Sequence, residues 1–455
     1  MRQFDVKTNT ELLDVVRQFF GDAVPEIIMT EENGNYRISC DNKSIDIDTS
    51  VIDCSAVPTA RRYDRLTKIA LYDALTAFTG RKMPWGALTG VRPTKLVYEC
   101  INGGKSLTEA EKIMTDVYRV EPFRAKLLSD IIKAQDKKVF FPEECVNLYI
   151  HIPFCSSRCI YCSFMSVPIE KFGAAAEAYV GLLIDEINRT VEFLYSRGKK
   201  ILSVYIGGGT PTALPEKLLE DLLTGIDKFD CEYTCEAGRP DTITEGKLDI
   251  LKKVGVNRVC VNPQTLSDDT LVKIGRRHTV EQFYNAYELV KSKGFIVNCD
   301  LIAGLEEETL GDFIKSFDGI KSLMPENFTV HSLSKKNGSV IRYNDSVNTA
   351  AADMLDYCLH NLEAYRPYYL YRQKRQAGNL ENVGFSLNGF ECVNNITTME
   401  ETVSVMSCGA GAISKFIHGG VISRFAAMRD IKLYIERYKE KLNEKLAAFD
   451  AAYSL

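Results

Sequence analysis

The chain has 455 residues, 45% hydrophobic and 26% charged, which is enough apolar material for two or three domains with sizeable cores. A formal charge of −5 gives no electrostatic case for nucleic acid, and no apolar run is long enough for a transmembrane segment. Fourteen cysteines follow a polar start that carries Asp5 and is not a secretory leader, so a reducing cytoplasmic setting is expected, where thiols stay free or bind metal.

Residues 1–60 read as a small α/β piece. A helix is expected over 11–20, and strands over 36–40 and 44–48 with an Asp-Asn turn between them. Residues 61–139 read as mostly helical, with segments at 62–78 (stopped by Gly80), 107–118 and 121–138. Between them Met83-Pro84-Trp85-Gly86, running on to Val91 and Lys95, marks an ordered turn with Trp85 as a packing residue. Phe140-Phe141-Pro142 ends this N-terminal domain, expected to span 1–140.

From 146 to 335 the pattern is regular. Short apolar, β-branched runs fall at 147–152, 202–206, 231–236, 257–262, 295–302 and 327–333. Helical stretches separate them at 172–197, 215–228, 244–254, 268–274 with 280–292, and 309–323. Six β-then-α units imply parallel strands with right-handed crossovers. Six rather than eight suggest an open, partial (β/α)6 TIM-like barrel, an α/β fold whose chemistry sits at the carboxyl ends of the strands.

The loop after the first of these strands reads Tyr149-Ile150-His151-Ile152-Pro153-Phe154-Cys155, then Cys159 and Cys162. A [4Fe–4S] cluster is usually held by four thiolates. Three would leave one iron open to an exogenous ligand, and S-adenosylmethionine (SAM) can fill that position through its amino and carboxylate groups. A Cys₃His zinc site using His151 is the competing reading, although C-x-x-x-C-x-x-C is not a usual zinc spacing. The other strand ends carry Gly207-Gly208-Gly209-Thr210, Glu236, Asn262-Pro263-Gln264, Asp300 with Ile302, and His331. Their polar groups suit a ribose, an ammonium and a carboxylate.

Residues 336–455 are expected to form a small C-terminal α/β cap. Basic residues at Lys335-Lys336 lead into it, followed by a helix at 349–365, a Tyr368-to-Arg375 stretch whose aromatics and bases suit either a strand packing its tyrosines or the cover of a flat anionic ligand, glycine-punctuated turns from Gly378-Asn379 onward, and a charged helix at 431–448.

The cluster loop, the glycine motif and the six units together resemble the radical SAM superfamily. Tyr149 to Cys155 is similar to the oxygen-independent coproporphyrinogen III oxidase-like group. Cys235-Glu236-Ala237-Gly238-Arg239-Pro240, His331-Ser332-Leu333 and the stretch from Tyr369 to Gly384 look most like its HemZ-type coproporphyrinogen dehydrogenases. The resemblance implies a radical SAM barrel in which Cys155, Cys159 and Cys162 ligate the cluster. Tyr149, the candidate catalytic residue, would then contact the SAM sulfonium region, and Tyr161 the adenine. Gly208, Gly209 and Thr210 would receive the methionyl amino end, with Glu236, Gln264, Arg276, Asp300 and Ile302 as further SAM-binding positions.

The resemblance further implies a reducing electron donor and an anionic tetrapyrrole substrate, whose propionates are oxidatively decarboxylated to vinyl groups. Arg239, Arg276, Arg277 and Arg372 are the pool from which propionate partners could come. Two departures stand out. Phe164 occupies the position of a further cysteine in the decarboxylating branch, which makes the loop resemble HemW-type haem chaperones and keeps a haem-binding role as the alternative. Gly304-Leu305-Glu306 replaces the usual Gly-Leu-Pro.

Overall fold

The computed structural model describes residues 1–55, 57–90, 92–334, 350–373 and 380–454. Val91, Lys335, Lys336, Thr349, Lys374, Arg375, Gly378 and Asn379, used in the sequence reading, lie outside the described residues. Two compact units form: Met1–Ala134 with Leu370–Asn382, and Gln135–Tyr369 with Val383–Leu455.

The first unit begins with an antiparallel sheet of β1 (Arg2–Asp5), β2 (Ile27–Glu32), β3 (Asn35–Cys40) and β4 (Lys43–Asp48), in that order. β1 and β2 are additional to the sequence reading. β2 and β3 meet at Asn33-Gly34, whose φ values of 51° and 84° are those of a tight hairpin turn. The helix Thr10–Phe20 starts at Asn9, which caps it through its side chain, and buries Leu12, Val15, Val16 and Phe19. The helix Thr59–Thr79 ends at Gly80 with φ of 68°, as the glycine predicts. A helix at Thr94–Asn102, outside the sequence reading, completes the Trp85 turn region. Trp85 is fully buried, and its Nε1 donates to Glu381 Oε2 at 2.6 Å. Arg124 pairs with the other oxygen of Glu381 at 3.2 Å, and the Arg372 guanidinium lies 5.3 Å from the Trp85 ring.

In the second unit the strands are β5 (Cys145–Ile152), the two-residue β6 (Phe154–Cys155) and β7 (Val167–Pro168), β8 (Lys200–Gly208), β9 (Glu232–Cys235), β10 (Arg258–Cys260), β11 (Ile296–Ala303) and β12 (Asn327–Ser332). All pairings along β5-β8-β9-β10-β11-β12 are parallel. Helices Gly173–Ser196, Glu216–Thr224, Glu245–Lys253, Asp268–Lys273 with Val280–Ser292, and Leu310–Ser322 return the chain between them, closely matching the expected units. The sheet continues beyond both ends of this run. β13 (Arg366–Arg372) and β14 (Glu381–Ser386) follow β12, with β14 antiparallel to it. β15 (Ser404–Cys408) runs parallel to β5 on its other side, and antiparallel β16 (Ile413–His418) and β17 (Val421–Ala426) follow. The residues expected as a C-terminal cap therefore extend the barrel sheet, and apart from Leu370–Asn382 they lie in the barrel's unit.

Polar side chains recur at every second position on one face of these strands, and a short helix covers them at the amino ends. The Glu232 carboxylate accepts the Val393 and Asn394 amides at 2.9 and 2.8 Å, which caps the helix Val393–Glu400. Asn394 donates to Ser203, Ser203 to Asn147, and Asn147 to Thr397, each at 2.8 Å. That end of the sheet is closed by a satisfied polar network. Among the described residues no helix is long and apolar enough to cross a membrane.

Candidate active site

Cys155, Cys159 and Cys162 sit where β5 stops. Pro153 has no amide hydrogen to continue the ladder, and the chain passes into β6, whose pairing with β7 closes the loop between them. Cys155 and Cys159 are buried and Cys162 is half-buried. The loop is fastened on two flanks. On one, Ile160 N donates to Ile274 O at 3.1 Å and the Ser157 hydroxyl to Gly275 O at 3.3 Å. On the other, Gly209 N donates to Ile152 O and Thr210 N to Phe154 O, both at 2.7 Å, and Thr210 Oγ1 lies 3.4 Å from Cys155 Sγ. A Cβ on Gly209 would stand 2.1 Å from Phe154 O, and Gly208 has φ of +109°. The glycines are thus what lets the second strand's turn lie directly on the cysteine loop.

From that turn a row of polar groups crosses the strand ends. The Tyr149 ring stacks on Tyr205 with centroids 6.2 Å apart, and Tyr205 donates its hydroxyl to Glu236. Asn262 Nδ2 reaches the other oxygen of Glu236 at 3.4 Å. Burial, and then the nearby Asp300 carboxylate, push the Glu236 carboxyl up to about 7. Asp300 accepts from Asn298 Nδ2 at 2.9 Å and lies 3.5 Å from His331 Nε2. Gln264 joins this row through its backbone. Its amide donates to Asp300 O at 2.9 Å and its carbonyl accepts from Ile302 N at 3.0 Å, in a one-residue bridge with φ of 71°. A left-handed glutamine is strained, and here two β11 hydrogen bonds hold it.

Arg276 is buried. Its Nη1 donates to Gly238 O at 2.8 Å, and its Nε and Nη2 donate to Tyr161 Oη at 3.2 and 3.0 Å. Burial opposes its charge, but Tyr161, Cys159 and Cys155 outweigh that and hold it firmly protonated. Tyr161 and Ile302 share an apolar cluster with Leu271, Ile274, Leu305 and Leu333. The cluster and SAM candidates thus lie in, or in the loop after, one of the strands from β5 to β12, except Arg276, which follows the helix Asp268–Lys273.

The arginines expected to meet propionates are placed differently. Arg239 is buried beneath the cysteine loop, where its Nη1 donates to Cys159 Sγ at 3.3 Å. Arg276 is engaged as above. Arg372 is buried in the first unit, donating to Leu88 O and Gly90 O at 2.9 and 3.3 Å. Of the four, Arg277 keeps an exposed side chain, 3.7 Å from Glu170. The sequence reading also passed over Tyr205, Asn298, Ser156, Ser157 and Asp241. Tyr205 was detectable in principle, because it stands two residues before Gly207 on a strand whose alternate positions share a face.

The donor set suits an iron–sulfur cluster: three thiols on one short loop, beside a glycine cradle that any Cβ would fill. Among the described residues no three His, Cys, Asp or Glu side chains converge around a single metal ion. A cube of four irons takes one thiolate per iron and spreads its donors more widely than one ion does.

The radical SAM superfamily model matches residues 149–319. The oxygen-independent coproporphyrinogen-III oxidase-like protein HemZ of Bacillus subtilis is 38% identical over 391 residues, which is 82% of this chain and 78% of that protein. The heme chaperone HemW of Lactococcus lactis is 34% identical over 283 residues, covering 58% of this chain and 68% of its own. Among solved structures, the radical SAM enzyme coproporphyrinogen III oxidase (HemN) of Escherichia coli matches in fold. Its TM-score is 0.51 at 20% identity, over 70% of this chain and 73% of that one.

Proposed function

Because the chain belongs to the radical SAM superfamily, in its HemN/HemZ-like coproporphyrinogen oxidase group, whose members bind a [4Fe–4S] cluster and SAM, we propose that it oxidatively decarboxylates propionates of coproporphyrinogen III to vinyl groups, giving protoporphyrinogen IX. The observation that carries this reading is the continuous seam from the three thiols through Gly207–Thr210 to Glu236, Gln264 and Asp300 at one set of strand ends. Cys155, Cys159 and Cys162 would hold the cluster. When reduced, that cluster would supply the electron for cleaving the sulfonium bond of SAM to methionine and a 5′-deoxyadenosyl radical.

The protein's own groups then orient the cosubstrate. The Gly208–Thr210 turn receives its amino end, buried Arg276 faces its carboxylate, and Glu236, Gln264 and Asp300 accept its ribose hydroxyls. Tyr149 and Tyr161 bound the sulfonium and adenine. A hydrogen atom leaves the β-carbon of a propionate to the radical. The carboxylate departs as carbon dioxide, and one electron passes to an external acceptor. Exposed Arg277 is the arginine of the original pool still placed to meet an incoming carboxylate.

A second reading is favoured by Phe164, which is 65% exposed two residues after Cys162. It presents an aromatic face rather than a thiol beside the cluster loop, which suits a protein that holds haem without turnover. Anaerobic reconstitution with SAM, reductant and coproporphyrinogen III separates the two. Vinyl products in step with 5′-deoxyadenosine support decarboxylation. Stoichiometric haem capture with no vinyl product supports the alternative.

A further inference from the structure

Both serines between the first two cysteines, Ser156 and Ser157, are fastened to one ion pair whose arginine is buried. Arg239 sits after β9, its side chain only 3% exposed, and Asp241 follows it in the turn Pro240–Thr242. The Arg239 Nε donates to Asp241 Oδ1 at 3.0 Å and Nη2 to Oδ2 at 3.4 Å. The same Nη2 donates to Ser157 Oγ at 2.9 Å, and Nη1 donates to Cys159 Sγ at 3.3 Å. Asp241 Oδ2 in turn accepts the Ser156 hydroxyl at 2.9 Å. The Arg239 backbone is held as well, since its carbonyl accepts the Thr242 amide and hydroxyl at 2.9 and 2.8 Å. One guanidinium therefore touches the carboxylate that orients it, a loop hydroxyl and a thiol sulfur, and the two serines after Cys155 are tied to the same pair.

We propose that Arg239 and Asp241 are positioning residues that set the electron affinity of the cluster held by Cys155, Cys159 and Cys162. This rests on the reading of those thiols as cluster ligands. A charged N–H donor on a ligating sulfur draws density from it and stabilises the more negative, reduced state. Burial keeps the effect strong, because little water screens it. Asp241 does two opposed things: it aims the planar fork at Cys159 and it partly cancels its charge. Arginine suits this place because its donors lie in one rigid plane, so one side chain can serve Asp241, Ser157 and Cys159 together.

The two halves of the pair must then act in opposite directions. Arg239→Gln removes a positive charge and the N–H to sulfur, so the midpoint potential falls. Asp241→Asn keeps a side-chain oxygen that can still accept from the guanidinium and hold it at Cys159, but removes the compensating charge, so the potential rises. The experiment is an EPR-monitored reductive titration of anaerobically reconstituted full-length protein and both variants, without SAM or tetrapyrrole, alongside iron and sulfide content. Opposite shifts at full cluster content support the inference. Unchanged potentials, or shifts of the same sign, overturn it. Should Arg239→Gln fail to take up the cluster, Asp241→Asn decides: an upward shift supports, and an unchanged or lower potential overturns. If the unsubstituted protein shows no [4Fe–4S] signal, the cluster reading itself is what fails.

Discussion

A methyl group at position 209 would stand 2.1 Å from the Phe154 carbonyl oxygen, a backbone atom of the cysteine loop that cannot swing aside. Gly209→Ala should therefore push the glycine turn off that loop. An ångström of displacement in a reacting geometry costs about 100-fold in rate. SAM cleavage, followed as 5′-deoxyadenosine released without tetrapyrrole, should fall by about that factor while the chain stays folded by circular dichroism. Cleavage at the parental rate would show that the contact does not position the cosubstrate. Residues of this kind were legible in the sequence because their chemistry is local: a cysteine spacing or a glycine run announces itself within a few positions. Arg239 was read as a possible propionate partner, not as a contact of the cysteine loop. Its partner Cys159 is 80 residues away in sequence, so its place beneath the loop comes from the parallel order of the strands. Asn33-Gly34 is the opposite case, a strong local hairpin signal that was present and passed over, and with it went β2.

At the scale of elements, the terminal helix Ile431–Tyr453 shows why a periodic stripe can hold a charge. Ile431, Tyr434, Tyr438, Leu442, Lys445 and Phe449 form its buried face. Lys445 Nζ donates to Glu186 Oε1 at 2.6 Å and to Ser407 O at 3.1 Å. Glu186 also accepts the Tyr434 hydroxyl and the Gly409 amide, the latter at 2.9 Å. From there Ala410 N donates to Tyr179 Oη at 3.0 Å, and that hydroxyl donates to His151 O at 2.8 Å, at the end of β5. Lys445→Ala would strand the Glu186 carboxylate in the interior, a change that costs about 3–5 kcal/mol. Denaturant unfolding should show that loss, and a loss under about 1 kcal/mol would mean Glu186 finds relief elsewhere. The helix was expected, as a charged one over 431–448. The role of Lys445 was not, because a lysine within an apolar stripe looks the same whether its head reaches water or a buried carboxylate.

For the molecule as a whole, stability should pass through a maximum in mildly acidic to neutral solution. Burial pushes Glu308 from 4.5 up to about 7, with the Thr265 hydroxyl donating to it. The folded state then holds a proton that the unfolded chain has released. Its contribution is complete below about 4.5 and is lost as pH rises through about 7. His278 acts on the other limb. Burial, with Arg276 next in weight, lowers it from 6.5 to about 3, so its contribution is present above about 6.5 and is lost as pH falls toward 3. Thermal unfolding from pH 4 to 9 should give a peaked profile, and Glu308→Gln should make the alkaline limb shallower, the part due to Glu236 remaining, while leaving the acid limb in place. A variant profile that overlays the parent would remove Glu308 from the account.

The order in which the sheet is completed bears on how the protein is made. β5 lies between β8, which follows directly, and β15, which pairs with it through Ser404–Cys408. The floor contact between Asn147 and Thr397 likewise spans 250 residues. During synthesis the strand leading into the thiol loop therefore keeps one bare flank, open to pairing with a neighbouring nascent chain, until almost the whole polypeptide has left the ribosome. A product cut short before residue 400 would carry the thiol loop beside an unfinished sheet edge.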